Sequence, residues 1–320
     1  MTEMDLRFVA LSEIDLGDRT FEIRKFSDST RLPDSLGRFG ILDPLWLRET
    51  SGGYIVVDGF KRLGWAKENM MHDVLCRIFS ENIDSREVWS QRIEKKIFEG
   101  EINPAEKAQI IAVLAGLFGP GEIPGFFLSS LKVSNRPEVL RKWVLVSQKG
   151  PGMLEALGSG EAAERAAMEI ADWDPSSSDC VLSLVRALRC SASIQVEIVE
   201  RISEIAVREG KTRAEVLEME RVREILSSKE LNHREKTQAL REYFSELRNP
   251  RLSARRKRFE QEIEAIGLPR GAKIVAPEAF EGGGWQMELS FGAPEELRKI
   301  FREAGPVVES DRLDAIFGKR

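Results

Sequence analysis

A single change of pattern along the chain constrains its fold more than any other feature. Up to residue 82, short runs rich in apolar and β-branched residues alternate with helical stretches. From Ile83 onward apolar residues recur at helical spacing, and strand patterns do not return until Lys273. The sequence therefore predicts an α+β protein in which a small α/β domain precedes a long, mainly helical region.

Within the first domain the pattern predicts strands over 6–11, 45–47, 54–57 and 74–79. A short helix is expected to open at 33–35 and to end at Gly40, a usual place for a residue with positive φ. The run Ser51-Gly52-Gly53 predicts a turn between two strands.

The helical region divides at glycine, proline and capping signals. Asp84 or Ser85 is expected to cap a helix with an apolar stripe at Trp89, Ile93 and Ile97, and Asn103-Pro104 to open the next. Further helices are predicted over 126–132, 136–148, 152–171, 178–188, 193–208, 212–227 and 233–247. The end of the chain predicts an α-β-β-α module with strands at 273–276 and 285–291 around a turn at 281–284. We expect domains at 1–82, 83–175, 176–248 and 249–320.

Composition limits the classes of function. The 320 residues include 42% hydrophobic and 32% charged residues, which is enough to bury several cores. The sequence has no apolar run near the roughly 20 residues of a membrane span and no secretory signal pattern, so we expect a cytoplasmic protein. Three scattered cysteines and two histidines predict no structural metal site.

A net charge of −5 argues against a surface that coats nucleic acid everywhere, although local basic patches are allowed. The densest patch places six cations among the eleven residues 248–258. Such runs most often form a solvated helix face, and that interpretation is preferred here.

The segment from Asp58 to Arg62 predicts a phosphate site. A strand that leaves into Gly59 and then into a helix brings backbone N–H groups and the positive end of the helix dipole together, beside Lys61 and Arg62. The alternative is an ordinary strand-to-helix turn with two solvated cations.

Two stretches resemble the ParB family of DNA-partition proteins. The first runs from Asp34 to Ala66 and includes Gly40-Ile41-Leu42-Asp43-Pro44 and Asp58-Gly59-Phe60-Lys61-Arg62. The second runs from Arg92 to Ala108 and includes Asn103-Pro104-Ala105-Glu106. The resemblance implies a ParB/sulfiredoxin-like domain that binds CTP with Mg²⁺. The implied nucleotide-binding residues are Gly40, Asp43, Pro44, Asp58, Gly59, Phe60, Lys61, Arg62, Lys95 and Lys96.

The chain also departs from the family pattern. Phe60 and Lys61 replace the Glu and the first Arg of Gly-Glu-Arg-Arg, and Lys95-Lys96 replaces the Glu-Asn of Glu-Asn-Ile-Gln-Arg. Because Mg²⁺ needs oxygen ligands and ammonium groups supply none, we expect weak or absent CTP hydrolysis and no metal site, with the lysines meeting phosphates directly.

Two enzymatic relatives share this domain fold. Sulfiredoxins carry a catalytic Cys where this chain has Phe60, and Cys76 lies on a predicted strand, so that activity is excluded. Free-serine kinases carry Asp-Gly-His-Thr-Arg, of which Asp58-Gly59-Phe60-Lys61-Arg62 keeps three positions, so a small-molecule kinase stays as an alternative. A non-catalytic protein-interaction adaptor is the third alternative.

The helices predicted at 126–133 and 136–148 resemble the helix-turn-helix of ParB proteins. Ser134 or Asn135 is expected to be the N-cap of the second helix, with Pro137 in its first turn. The residues expected to contact DNA are Ser134, Asn135, Arg136, Glu138, Arg141 and Lys142. The alternative is a plain helical hairpin with solvated cations. The resemblance implies a DNA-binding, nucleoid-associated homodimer for partition or regulation of a chromosome or mobile element, with a partition ATPase as partner.

Overall fold

The structure is a computed structural model that describes residues 5–24, 26, 31–119, 121–277, 280 and 284–309. The chain divides into two compact units at the boundary between Glu200 and Arg201. No helix in the described ranges is both long enough and apolar enough to cross a membrane.

A mixed five-stranded sheet forms the centre of the N-terminal part of the first unit. Its strands are β1 (Asp5–Ala10), β2 (Ile14–Asp15), β3 (Leu45–Thr50), β4 (Gly53–Asp58) and β5 (Asp73–Phe79), in the order β1-β5-β3-β4-β2. The β2–β4 and β3–β5 pairs are parallel and the other two are antiparallel. The four predicted strands are confirmed, whereas β2 was missed because two residues show no periodicity.

Helices α1 (Arg31–Phe39) and α2 (Phe60–Glu68) accompany this sheet. Helix α1 begins two residues before the predicted start and ends at Gly40, whose φ of 69° confirms the expected left-handed position. Fully buried Leu45, Leu47 and Val56 from the strands pack with Leu63 of α2. Each such side chain stabilises the fold by about 1.5–3 kcal/mol.

Helices form the rest of the first unit. They are α3 (Ser85–Glu99), α4 (Pro104–Phe118), α5 (Gly125–Ser130), α6 (Pro137–Gln148), α7 (Pro151–Ser159), α8 (Glu164–Ile170) and α9 (Pro175–Leu188). The predicted caps are confirmed, because Asp84 accepts from the backbone of Arg86 and Asn103 forms a capping box with Glu106. The single helix predicted over 152–171 is wrong, since a turn at 160–163 separates α7 from α8.

The core of this helical layer is large and apolar. Helix α4 packs on α6 and α7 through Ile110, Ile111, Leu114, Trp143 and Leu157, each at most 2% exposed. Ile97, Leu117 and Phe118, which the periodicity also places on buried faces, are only half-buried.

The second unit begins within α10 (Ala192–Glu209), which spans the boundary. It continues with α11 (Arg213–Leu217), α12 (Glu220–Ser227), α13 (His233–Arg248), α14 (Pro250–Ile266), β6 (Ala272–Val275), β7 (Gln286–Leu289) and α15 (Pro294–Val308). The α-β-β-α pattern at the end of the chain is confirmed, and 281–283 of its predicted turn lie outside the described residues. The single helix predicted over 212–227 is wrong, because Glu218 and Met219 separate α11 from α12.

The basic run 248–258 covers the end of α13 and the first half of α14. All six of its cations are exposed, and α14 has no buried residue. The run is therefore solvent-exposed on two helices, as the preferred interpretation requires.

Candidate functional site

The turn from β4 into α2 is built around Gly59. Its φ of 100° lies in the left-handed region, and a Cβ at this position would approach Leu45 Cγ at 3.0 Å and Arg62 Nε at 3.2 Å. Only glycine fits both demands without strain. Gly59 is the N-cap of α2 and provides no side chain to cap it, so the positive end of this helix is left open at the turn.

Asp58 lies at the end of β4, and three cations surround its carboxylate. The residue is 7% exposed and contacts Arg62 Nη2 at 2.8 Å, Arg92 Nη2 at 3.0 Å and Lys95 Nζ at 2.6 Å. Burial alone would raise the pKa of Asp58, but the charges of Arg92, Lys95 and Arg62 outweigh it, so the pKa lies below the usual value. Asp58 is therefore an ionised anchor that holds three cations in place.

Arg62 connects this turn to the loop that follows α1. In addition to its contact with Asp58, its Nη1 donates to the carbonyl oxygens of Asp43 at 2.7 Å and Pro44 at 3.3 Å. Asp43 and Pro44 thus contribute through their backbone. The loop 40–44 and the Gly59 turn are held together by one guanidinium.

Arg92 of α3 is the most unusual side chain of the site. It is 5% exposed, yet its Nε and Nη1 have no acceptor among the described residues, and Nη2 alone binds Asp58. A buried donor without an acceptor costs roughly 1–3 kcal/mol, and more when it is charged. Such a cost is expected where a ligand supplies the missing acceptor.

A cleft of about 430 Å³ opens beside Arg92 and the Gly59 turn. The structure brings six of the predicted nucleotide-binding residues to its wall, which are Asp58, Gly59, Phe60, Lys61, Arg62 and Lys96. Gly40, Asp43, Pro44 and Lys95 do not line the cleft. The opposite wall includes Glu22, Arg24, Phe26 and Leu32. Six of the ten predicted residues therefore lie together at one cleft, and Asp43, Pro44 and Lys95 contact Arg62 or Asp58 of its wall.

The two lysines of α3 are both paired with acids. Lys95 contacts Glu99 as well as Asp58 and lies 5.3 Å from the ring centre of Trp46. Lys96 lies 2.8 Å from Oε1 of Glu106, which is 1% exposed and belongs to the capping box of α4. These pairs fix α3 and α4 against the sheet and leave Lys96 at the wall of the cleft.

Mg²⁺ does not fit these side chains. The carboxylates of Asp58, Glu99 and Glu106 are each paired with at least one cation. No group of three or more His, Cys, Asp or Glu side chains suited to a metal occurs in the described part of the chain. Because Mg²⁺ is bound by carboxylates and other oxygen atoms, this corner offers phosphate donors and not metal ligands.

The sequence interpretation missed Arg92 as a site residue. Its signal was present, because Arg92 stands three residues after Trp89 and directly before Ile93, within a stripe that is otherwise apolar. An arginine at a core-facing position must either be paired or serve a ligand. The partner, Asp58, lies far away in sequence, so the pairing could not be read from local spacing.

Helices α5 and α6 form the second candidate region, which we call the helix pair. The predicted N-cap is wrong, because Arg136 is the N-cap of α6, while the Ser134 hydroxyl accepts weakly from the Arg136 N–H at 3.4 Å. Ser134 and Asn135 are exposed in the connection before it, with Lys132 in the left-handed conformation at φ 55°. The inner face of α6 is apolar, with Leu140, Trp143 and Val146 buried and Val139 and Val144 half-buried.

The outer face of α6 carries the predicted polar residues. Arg136, Glu138 and Arg141 are exposed, and Lys142 is half-buried. Arg141 lies 2.6 Å from Asp172 and Lys142 lies 3.6 Å from Glu169, and the Arg141 side chain stays 60% exposed in its ion pair. Such exposed pairs contribute about 0–1 kcal/mol and exchange readily for other partners.

The cysteine nearest in sequence to the Gly59 turn is unsuited to catalysis. Cys76 lies on β5, as predicted, and is fully buried. Burial raises the pKa of its thiol to about 12, so a thiolate does not form near neutral pH. A sulfiredoxin-like reaction through Cys76 is excluded on this ground.

The fold and these regions define a class of protein with a basic cleft on a mixed α/β domain, followed by a helical region with an exposed polar helix. No family model and no curated protein sequence matches the chain. The search of solved structures does return ParB proteins, to which the chain is similar.

Three of these structures show the extent of the similarity. C-terminally truncated ParB from Caulobacter crescentus, complexed to the centromeric parS site, is 18% identical with a TM-score of 0.34 and covers 61% of this chain and 99% of its own. The same protein complexed with CTP-γ-S is 20% identical with a TM-score of 0.22, and the match covers 57% of this chain and 98% of that one. The pNOB8-like ParB N-domain is 15% identical with a TM-score of 0.34, and the match covers 72% of this chain and 90% of that one. Because all three TM-scores lie below 0.5, we base the function on the residues of this chain.

Proposed function

We propose that this chain is a ParB-like DNA-binding protein that acts in the partition or regulation of a chromosome or mobile element. In this proposal the cleft receives the phosphates of a nucleotide, and the helix pair contacts DNA. The observation that carries it is the buried Arg92, whose Nε and Nη1 lack acceptors at the wall of a cleft beside the open end of α2. A phosphate supplies acceptors for such donors.

Arg92, Arg62, Lys61 and Lys96 would hold the phosphates, together with backbone N–H groups at the start of α2. CTP is the nucleotide that the family resemblance implies, and the Caulobacter protein has been solved with CTP-γ-S. We propose no catalytic residue. Asp58 is paired with three cations that lower its pKa, so it is a weak general base and hydrolysis by this site would be slow or absent.

The lowered pKa of Asp58 also weakens the kinase alternative. A serine-type kinase needs a group that accepts the proton of the substrate hydroxyl. Phe60 occupies the position of the His in that family, and its ring lies 5.4 Å from the guanidinium of Arg19. Product detection from serine with ADP or ATP tests this alternative directly.

The helix pair supports DNA binding through the exposed face of α6. Glu138 and Arg141 are exposed on the side of α6 opposite its buried side chains, and Lys142 lies half-buried beside them. Ser134, Asn135 and Arg136 are exposed directly before the helix. That arrangement suits a helix that enters the major groove while its neighbours hold it from behind. From these residues we assign DNA as the ligand of the helix pair.

A homodimer fits the second unit. Its last two elements expose large apolar side chains, namely Met287 on β7 and Phe301 and Val308 on α15, with Phe291 between them. The described sheet of β6 and β7 has two strands only, so both of its outer edges can pair with another chain. We propose a cytoplasmic, nucleoid-associated dimer with a partition ATPase as a partner.

Gel-shift selection against genomic fragments tests the proposal. The full chain should enrich a defined sequence, and Arg136→Gln with Arg141→Gln should lose that enrichment. Arg223→Gln is a matched control, because Arg223 also forms an exposed ion pair, at 3.5 Å from Glu218 on another surface. If the double variant selects the same DNA as the parent chain, the helix pair is not the DNA-binding element.

A further inference from the structure

We propose that the cleft beside Gly59 binds polyphosphate through protein cations alone, so that no divalent metal ion takes part. This inference rests on the proposed function in taking a nucleotide phosphate as the ligand. It goes further because it fixes the ionic form that the site accepts.

The first support is the charge of the cleft wall. Among the described residues that line it are five cations and three carboxylates. One of these carboxylates, Asp58, is already paired with Arg62, Arg92 and Lys95. The cleft is therefore positive before a ligand arrives, which attracts a polyanion and repels a free dication.

The second support is the geometry of Arg92. Asp58 holds Nη2 at 3.0 Å, while Nε and Nη1 stay buried without acceptors among the described residues. An anionic phosphate oxygen can accept from these donors directly. Mg²⁺ cannot satisfy them, because a metal ion accepts no hydrogen bond.

The third support is the state of the carboxylates. A metal at this corner would need oxygen ligands from Glu22, Asp58 or Glu99 of the cleft wall or from Glu106, and each would have to leave its cation first. Glu106 would also have to leave the N-cap of α4, where its Oε2 accepts from the Asn103 N–H at 3.1 Å. Breaking the pairs of Asp58 and Glu106, which are buried, is costly because it leaves charges without partners.

These three observations predict whether Mg²⁺ raises or lowers the affinity of the cleft for polyphosphate. Mg²⁺ and the cleft compete for the same phosphate oxygens, so excess Mg²⁺ should weaken binding. A site that needs the metal shows the opposite sign, with binding that disappears in a chelator.

Calorimetric titration of the full chain with inorganic tripolyphosphate and with CTP, in EDTA and in millimolar Mg²⁺, measures that sign. We expect binding in EDTA and an affinity several-fold lower in excess Mg²⁺. Binding that appears only with Mg²⁺, or that Mg²⁺ strengthens, overturns the inference. So does the lack of binding of both ligands under both conditions.

Arg92→Lys gives a variant that keeps the charge beside Asp58 but loses the planar fork of donors. It should bind tripolyphosphate at least about tenfold more weakly, since lysine cannot replace bidentate arginine contacts. Lys67→Gln, at the exposed end of α2, is the matched control and should bind as the parent does. Equal affinity in Arg92→Lys and the parent chain, with both folded by circular dichroism, also contradicts the inference.

The DNA selection experiment separates the two proposals. A chain that selects DNA but binds no polyphosphate in EDTA retains the DNA-binding function and loses this inference. A chain that binds polyphosphate in EDTA but selects no DNA keeps the anion site and loses the assignment of the helix pair.

Discussion

The cleft beside Gly59 and the outer face of α6 are both basic, yet they differ in how their cations are held. Arg92 is 5% exposed and contacts an acid that is 7% exposed. The side chain of Arg141 is 60% exposed, and that of its partner Asp172 is 42% exposed. The difference is one of dielectric environment, since charges are coupled strongly when buried and weakly when solvated.

This comparison teaches what each region is suited to bind. Fixed, desolvated donors select a small anion of defined shape, because they are already arranged before it arrives. Exposed cations in exchangeable ion pairs suit the long backbone of a nucleic acid, whose phosphates can replace the carboxylates at little cost. The same residue types therefore serve two functions according to burial.

The largest expected effect comes from removing the anchor of the cleft. Asp58→Asn leaves Arg62, Arg92 and Lys95 without their shared anion, so the free energy of unfolding should fall by about 3–5 kcal/mol. Urea denaturation of the variant and the parent chain measures this difference in the free energy of unfolding. The control Asp73→Asn removes an exposed carboxylate and should change stability by less than about 0.5 kcal/mol. Similar losses in both variants would erase the contrast between buried and solvated charges.

The free energy of unfolding should also depend on pH in the acid range because of Asp58. The pKa of folded Asp58 is lowered, so its ionised form contributes stability that is fully present above the unfolded value of about 3.9. That contribution is lost as the pH falls from there through the lowered pKa. Denaturation midpoints measured across this acid range should drop more steeply for the parent chain than for Asp58→Asn, and parallel curves would contradict the assignment.

A smaller loss is expected when the turn itself is changed. Gly59→Ala places a Cβ at φ 100° and 3.0 Å from Leu45 Cγ, so the free energy of unfolding should fall by about 1–3 kcal/mol. Gly64→Ala, within the same helix and with no atom near its Cβ, is the control and should be neutral or slightly stabilising. Denaturation of the two variants side by side decides whether the backbone of the turn is as constrained as described.

The smallest effect on stability is expected on α6. Arg141→Gln removes an exposed ion pair and should change the free energy of unfolding by less than about 1 kcal/mol. Its effect should instead appear in DNA binding, where the slope of log affinity against log salt should decrease by about one phosphate contact. An unchanged slope would indicate that Arg141 does not meet the DNA backbone.

Local patterns predicted much of the fold. The four longer strands, the left-handed Gly40 and the caps Asp84 and Asn103 follow from alternation, turn chemistry and capping preference, which depend on neighbours in the chain. The two-residue strand β2 offered no such signal. The break between α7 and α8 was missed although Gly160 stands there, because helical periodicity continues on both sides.

The candidate site was predictable only in part, since Arg92 lines the cleft and was missed. Gly59, Lys61 and Arg62 belong to one local motif. Arg92 belongs to the site because it contacts Asp58, and only the tertiary fold brings these two residues together. The Arg141–Asp172 pair likewise joins α6 to the turn that follows α8, a contact that no local pattern specifies. Start positions were also imprecise, since helix α6 is capped by Arg136 and not by the better capping residues before it.

The Arg92 guanidinium can be observed directly by ¹H–¹⁵N NMR of the full chain, with Arg92→Lys used to assign its signals. In the absence of ligand its Nε–H should be protected from solvent and lack the shift of a strong hydrogen bond, because it is buried without an acceptor. Titration with CTP in EDTA should move this resonance downfield as a phosphate oxygen accepts from it. A resonance that stays in place while CTP binds elsewhere, or that exchanges freely with water, would contradict the central claim.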